Sequence, residues 1–334
     1  MIEDARVLQA EWVPREVEHR NPELNALSNA LEPITDGEPA ETALLVGPSG
    51  VGKTCCAQFT LERLREAVLD IEYQRVNCWQ DYSRFRTLYR ILDGIGETLD
   101  IHRQSTAHDE LLERLRDYDG PPYVVVLDEV DQLEDTRVLY DLYSIDGLSM
   151  ILIANREEDL FGRLDDRVVS RLQSARRVRF EKYGLEQIVS ILEARVRWGL
   201  EEGAIERPEL ERIADTAAGD ARVAIGILRA AAREAERREV PRITDDILDI
   251  AIPRAQANIT ESTVEKLNEH QQILYNILAE EEELRPPALY EAYRDRIDEP
   301  RTNRTVRNYL QKMAHYNLIR AEGKGRARTY LIDG

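Results

Sequence analysis

Four groups of residues in this chain of 334 have the types and spacing to do chemistry. The first is Gly47-Pro48-Ser49-Gly50-Val51-Gly52-Lys53-Thr54, which follows the apolar run Ala43–Val46 and fits GxxxxGK[ST]. Glycines after a strand let the backbone curl so that successive N–H groups face one chain of phosphates, while Lys53 reaches the terminal phosphates and Thr54 offers its hydroxyl to Mg²⁺. The second is Asp128-Glu129, at the end of the apolar run Tyr123–Leu127. Asp128 can hold Mg²⁺ through water, and Glu129 can polarise a water aimed at the γ-phosphate. The third is Asn155, after Met150–Ala154, which can bind that water or the phosphate, or only cap the next turn. The fourth is a set of arginines. Arg222, in Gly219-Asp220-Ala221-Arg222, opens a helix and would report γ-phosphate occupancy if it faced back toward the loop. Arg167 and Arg171 lie on a short polar helix, where a surface arginine either enters a neighbouring subunit's site or is simply solvated. Together the loop and the paired carboxylates indicate an ATPase that binds ATP and ADP with Mg²⁺.

The elements that must position these groups read as an α/β protein. Runs at Ala43–Val46, 71–77, 123–127, 150–155 and 177–180 predict five strands, and the continuous apolar character of 123–127 suits a parallel sheet buried on both faces. A helix from Lys53 to about Val68 would set its positive N-terminal dipole under the phosphates. Residues 1–42, with Val13-Pro14-Arg15-Glu16 and a helical pattern at Leu24, Leu27, Ala30 and Leu31, are expected to pack beside the loop, with Val13 lining the base pocket. From Gly184 to about Ala251 the pattern is wholly helical, which suggests a lid, with Thr244-Asp245-Asp246 capping its last helix. Beyond Ser262 three helices and a hairpin are expected. The third helix buries Val306, Leu310 and Met313 and shows Arg304, Arg307, Asn308 and Gln311 on its other face, while Lys324, Arg326 and Arg328 lie between the two strands. That is the pattern of a winged helix-turn-helix, with side chains suited to major-groove edges and a basic wing for phosphate. The domains expected are 1–182 for nucleotide binding, 183–258 for the lid and 262–334 for double-stranded DNA.

Charge supports that division. The chain carries 45 Lys+Arg against 64 Asp+Glu, a net −19, and only five of its cations are lysines. A carboxylate-rich, lysine-poor surface suits molar salt, so a salt-adapted source is expected. Residues 301–334 hold eight basic side chains against two acidic ones, a local +6 beside −25 for the rest. A basic tail on an acidic body marks where an anionic polymer binds. Cys55, Cys56 and Cys78 have the spacing of neither a metal site nor a disulfide framework, and are read as buried, reduced residues. No apolar run approaches membrane-spanning length and the N-terminus lacks an apolar core, so a cytoplasmic protein without a membrane partner is expected.

Several motifs, in their order and spacing, resemble the archaeal origin-recognition initiators, AAA+ ATPases related to the eukaryotic origin recognition complex and its helicase loader. They are Gly47–Thr54, Val125–Asp131, Ile153-Ala154-Asn155, Arg167–Leu172 and Gly219–Ala224, with Val13–Glu16, Val76-Asn77-Cys78 and the C-terminal winged helix. The resemblance implies Walker A at Gly47–Thr54, Walker B at Asp128 and Glu129, sensor 1 at Asn155 and sensor 2 at Arg222. Arg167 and Arg171 become the candidates for an arginine finger acting in trans. It further implies DNA contacts somewhere between residues 77 and 103, origin DNA as ligand, and the replicative helicase and other initiator subunits as partners. A transcription regulator with a nucleotide-sensing body, or a helper ATPase holding a protein partner, would carry the same motifs.

Overall fold

The computed structural model describes the chain apart from residues 69, 100, 103–105, 282, 317, 324, 326, 327, 333 and 334. The chain divides into two compact units, Met1–Ala255 and Gln256–Gly334.

The first unit is built on five parallel strands: β1 (Ala43–Val46), β2 (Glu72–Asn77), β3 (Tyr123–Asp128), β4 (Leu148–Ala154) and β5 (Arg176–Arg179), in the order β2-β3-β4-β1-β5. Because successive side chains of a strand point to opposite faces, the same apolar runs feed two cores. Leu44, Val46, Val125, Leu127, Leu152 and Ala154 pack on one face. Ala43, Leu45, Val124, Val126, Ile151 and Ile153 pack on the other. In a parallel sheet all C-terminal strand ends share one edge, which is where α/β proteins bind ligands. The register sets Val46 beside Ala154 and Asp128 beside both Ile153 and Asn77, so the residues that follow β1, β3 and β4 meet at that edge.

Helices Leu185–Gly199, Arg207–Ala217 and Ala221–Arg237, with the first part of Asp245–Glu265, share a third core, where Ala224, Ala231, Ala232 and Ala235 let the helices approach closely. Leu27, Ala30 and Leu31 of helix Asn21–Leu31 pack with Val51 and Cys56 beside the phosphate loop, whereas the first eight residues join the lid core instead. Leu8 is buried within it, the Glu3 N–H donates to the Gly199 carbonyl at 2.9 Å, and Ile2 bridges Leu200. ATPase sheet and lid thus share one compact unit, and helix Asp245–Glu265 runs through the 258–262 boundary expected from sequence, with Pro253 inside it.

The second unit holds helices Glu269–Glu281, Pro286–Asp295 and Asn303–His315, and strands β6 (Glu283–Leu284), β7 (Ile319–Glu322) and β8 (Thr329–Ile332) in the antiparallel order β6-β8-β7. The sheet therefore has three strands where a hairpin was expected; β6 lies in what reads as an acidic break and is too short to show a period. Leu274, Ile277, Leu278, Leu289, Tyr293, Val306, Leu310 and Met313 form the apolar interior. Helix, strand, helix, helix and two strands is the element order of a winged helix-turn-helix.

Candidate functional site

The fully buried β1 delivers the chain into Gly47–Gly52, and helix Lys53–Ala67 starts directly after it. Two glycines here are dictated by geometry. Gly50 sits at φ +73 with the Asp220 carboxylate 1.8 Å from where a Cβ would stand, and Gly52 at φ +90 with the Tyr183 hydroxyl 2.8 Å away. Lys53 is buried, and its ammonium donates to the carbonyls of Gly47 (2.5 Å) and Pro48 (2.6 Å) and to Asn155 Oδ1 (3.2 Å). Burial pushes its pKa down to about 8, against the opposing pull of Asp128, Asp131 and Glu129. Loop lysine and sequence-predicted Asn155 are thus already joined.

β3 carries the carboxylates to the same edge. Asp128 is buried, and its Oδ2 accepts from the Thr54 hydroxyl at 3.0 Å and from Arg75 at 3.1 Å (Nε) and 2.9 Å (Nη2). Glu129, one residue on, holds a left-handed backbone at φ +56. A non-glycine residue there stores of order 1 kcal/mol or more of strain and persists only where its surroundings fix it. The Cys78 N–H donating to the Asp128 carbonyl at 2.8 Å and the turn Val130–Gln132 provide that fixing. Thr54, Asp128 and Glu129 offer oxygen atoms alone, which suits a hard divalent cation such as Mg²⁺. Among the described residues no cluster of three metal-ligating side chains forms, so such an ion would draw its remaining ligands from water and phosphate.

The lid meets the loop directly. Asp220 caps helix Ala221–Arg237 by accepting from the N–H groups of Arg222 and Val223, the Ala221 N–H donates to the Gly50 carbonyl at 3.0 Å, and the Arg222 guanidinium donates to the Ser49 hydroxyl. Val51 is buried beneath the loop. Val13 lines a cavity of about 410 Å³ with Asp4, Arg6, Val7, Trp12, Arg15 and Trp198. Helix Asp166–Leu172, capped by the Asp165 carboxylate, carries both finger candidates. Arg171 lies 4.4 Å from the Tyr140 ring centroid and donates to the Arg167 carbonyl. Arg167 is exposed, and among the described residues no ion pair or ring holds its guanidinium.

Three participants escaped the sequence reading. Arg75 lies two residues before Asn77 on β2, and only the parallel register with β3 brings it to Asp128. Arg20 is buried over the Tyr183 ring at 4.0 Å and donates to the Glu181 carbonyl and to Glu23, tying the entry segment to the chain that leads into the lid. Burial opposes its charge, yet Tyr183 and Glu23 raise its pKa. Asp131, third carboxylate of the stretch after β3, is buried beside Gln132.

In the second unit, Thr302 caps helix Asn303–His315, and Arg304, Arg307, Asn308 and Gln311 are all exposed along it while Val306, Leu310 and Met313 are buried. Arg328, expected to project from the wing, is half-buried instead, because it directly precedes the packed strand β8. Lys324 and Arg326 lie outside the described residues, as does 103 at the end of the stretch from Asn77.

Comparison with known proteins gives a consistent picture. The Cdc6 AAA+ ATPase-type lid domain matches residues 189–252 and the AAA domain residues 37–161. ORC1-type DNA replication protein 9 of Halobacterium salinarum is 57% identical over 100% of this chain and 94% of its own length, and protein 1 of that organism is 56% identical over 92% and 100%. The structure of Aeropyrum pernix ORC1 in complex with DNA superposes with a TM-score of 0.78 at 25% identity, covering 100% of this chain and 94% of that one. The acidic, lysine-poor composition fits relatives from a halophilic archaeon. Among the described residues no helix is long and apolar enough to cross a membrane.

Proposed function

The chain belongs to the ORC1-type DNA replication proteins, AAA+ ATPases of the Orc1/Cdc6 kind, and from that premise we propose an ATP-switched initiator that binds origin DNA sequence-selectively and helps load the replicative helicase. The observation that carries this reading is the direct seat of the lid on the phosphate loop, through Ala221 to Gly50 and Arg222 to Ser49. Phosphates entering that loop must exchange partners with Arg222, so nucleotide state is felt by the lid first.

Each step falls to a residue of this chain. Lys53 exchanges the carbonyls of Gly47 and Pro48 for phosphate oxygens, which repays its burial with a stronger, charge-assisted partner. Backbone N–H groups of the loop Gly47–Thr54, Pro48 apart, and the start of helix Lys53–Ala67 hold the phosphate chain. Mg²⁺, held by Thr54 and, through water, by Asp128, would neutralise charge on the β- and γ-phosphates. Glu129 polarises the attacking water, and Asn155 orients it or the γ-phosphate. Arg167, which among the described residues stacks on no ring, is the better finger for a neighbouring copy; Arg171 is held on Tyr140. ADP then leaves Arg222 without its γ-phosphate partner, and the lid relaxes.

For DNA, the exposed Arg304, Arg307, Asn308 and Gln311 on one face of helix Asn303–His315 suit base edges in a major groove. That an ORC1 relative was solved in complex with DNA supports DNA as the ligand. Because phosphate contacts weaken steeply as salt rises, binding in molar salt leans on base contacts and DNA shape, hence on sequence. The test is selection of bound duplexes from the organism's own fragmented genomic DNA in molar potassium chloride with ATP, using the wild type and an Arg304→Ala/Arg307→Ala variant. A repeated motif clustered at one or a few loci, lost in the variant, is the expected result. Scattered promoter sites would point to a transcription regulator, and no enrichment to an ATPase that grips a protein.

A further inference from the structure

Arg75 is a cation beside the nucleotide site that the ATP mechanism above does not use. It projects from β2, opposite Val126 in the register, and its guanidinium reaches past that position to Asp128 at the strand end. Both of its bonds, at 3.1 and 2.9 Å, fall on Oδ2, the same oxygen that accepts the Thr54 hydroxyl at 3.0 Å. The side chain of Asp128 is 6% exposed and that of Arg75 35%, so the pair stands at the boundary between the packed sheet and the open edge.

That convergence matters because Thr54 and, through water, Asp128 are also the residues that would hold the metal in the proposed function, on which this inference rests. A hard divalent ion beside the Thr54 hydroxyl would address Asp128 through water on the oxygen nearest Thr54. That oxygen is Oδ2, and Arg75 already holds it. Two cations cannot share one buried carboxylate oxygen without mutual repulsion, which is strong where water is sparse. We propose that Arg75 is a resident competitor of Mg²⁺ at Asp128, a positioning residue whose guanidinium must be displaced for the metal to enter and which thereby sets the Mg²⁺ concentration at which ATP binding tightens. The two bonds from Arg75 also hold the Asp128 carboxylate in one orientation.

The experiment is equilibrium binding of a fluorescent ATP analogue to the full chain across a series of free Mg²⁺ concentrations, for wild type, Arg75→Met and Arg75→Lys. Methionine keeps the length and removes the charge; lysine keeps the charge and removes the fork. A charge-assisted pair of this kind corresponds to about tenfold or more in binding. The Mg²⁺ midpoint should fall by about that factor in Arg75→Met and by less in Arg75→Lys, while binding in chelator is unchanged or weaker. An unmoved midpoint would overturn the competitor role, and a raised midpoint would show that Arg75 assists the metal instead. Wild type that binds no nucleotide at any Mg²⁺ concentration would remove the ATP reading itself, and this inference with it. Thermal unfolding of the nucleotide-free variants separates a misfolded site from a changed one: a variant that melts with the wild type yet binds no analogue at any Mg²⁺ also overturns the proposal.

Discussion

Lys53 makes a prediction that separates burial from binding. Its ammonium lies among carbonyls and its pKa falls from the ordinary 10.5 to about 8, chiefly because burial disfavours the charge. The unfolded chain keeps the ordinary value, so between pH 8 and 10.5 the unfolded state binds more protons and stability rises with pH. Below pH 8 both states are protonated and the buried charge is paid in full. At 1.36 kcal/mol per unit, the gain reaches about 2 to 3 kcal/mol by roughly pH 10. Other titrations are superimposed on it, so the quantity to follow is the difference between wild type and Lys53→Met, measured by chemical denaturation at constant high salt from about pH 7 to 10. The difference should be flat to about pH 8 and then grow in favour of the wild type by about 2 to 3 kcal/mol. ATP should reverse the trend, since phosphates bind the ammonium: affinity declines above pH 8 by up to about tenfold per unit. A difference that stays flat throughout would refute a desolvated Lys53.

Three other outcomes follow from the geometry. Glu129→Gln should bind ATP with Mg²⁺ as well as wild type but hydrolyse it about 10² to 10⁴ times more slowly in a steady-state phosphate-release assay, the range general-base catalysis supplies. Gly50→Ala places a Cβ 1.8 Å from Asp220 at φ +73, so it should lower stability by a few kcal/mol, read as a shift in melting, and weaken nucleotide binding by prising the lid from the loop. Arg167→Ala should leave melting unchanged and abolish any rate increase that assembly on DNA gives, whereas Arg171→Ala should lose about 0.5 to 1 kcal/mol of stability with the Tyr140 contact.

Much of the fold is legible because its signals are local. Long apolar runs such as Tyr123–Leu127 and Met150–Ala154 announce buried parallel strands, and the glycines of the phosphate loop stand where the chain leaves β1. The features that sequence conceals are those made by register and by distant packing. Arg75 on β2 reads as an ordinary exposed strand residue until β3 is laid beside it. The opening residues carry too short a pattern to reveal that Ile2 and Leu8 complete the lid rather than the ATPase body. β6 spans two residues, below any period, and Arg328 looks like wing charge until the packing at β8 draws it in. On helix Asn303–His315, by contrast, the 3.6-residue spacing alone separates Val306, Leu310 and Met313 from Arg304, Arg307, Asn308 and Gln311.

The central claim is that nucleotide state governs DNA binding through the contact of Arg222 with the phosphate loop. Its most direct measurement is the affinity of one selected duplex, against a scrambled duplex, with ATP, with ADP and without nucleotide, for wild type and Arg222→Ala in molar potassium chloride. Specific affinity should differ between ATP and ADP by about fivefold or more, the usual scale of site-to-site coupling. In Arg222→Ala that difference disappears, while ATP still binds. Equal affinity in all three nucleotide states for the wild type, or a full ATP effect surviving in Arg222→Ala, would contradict it.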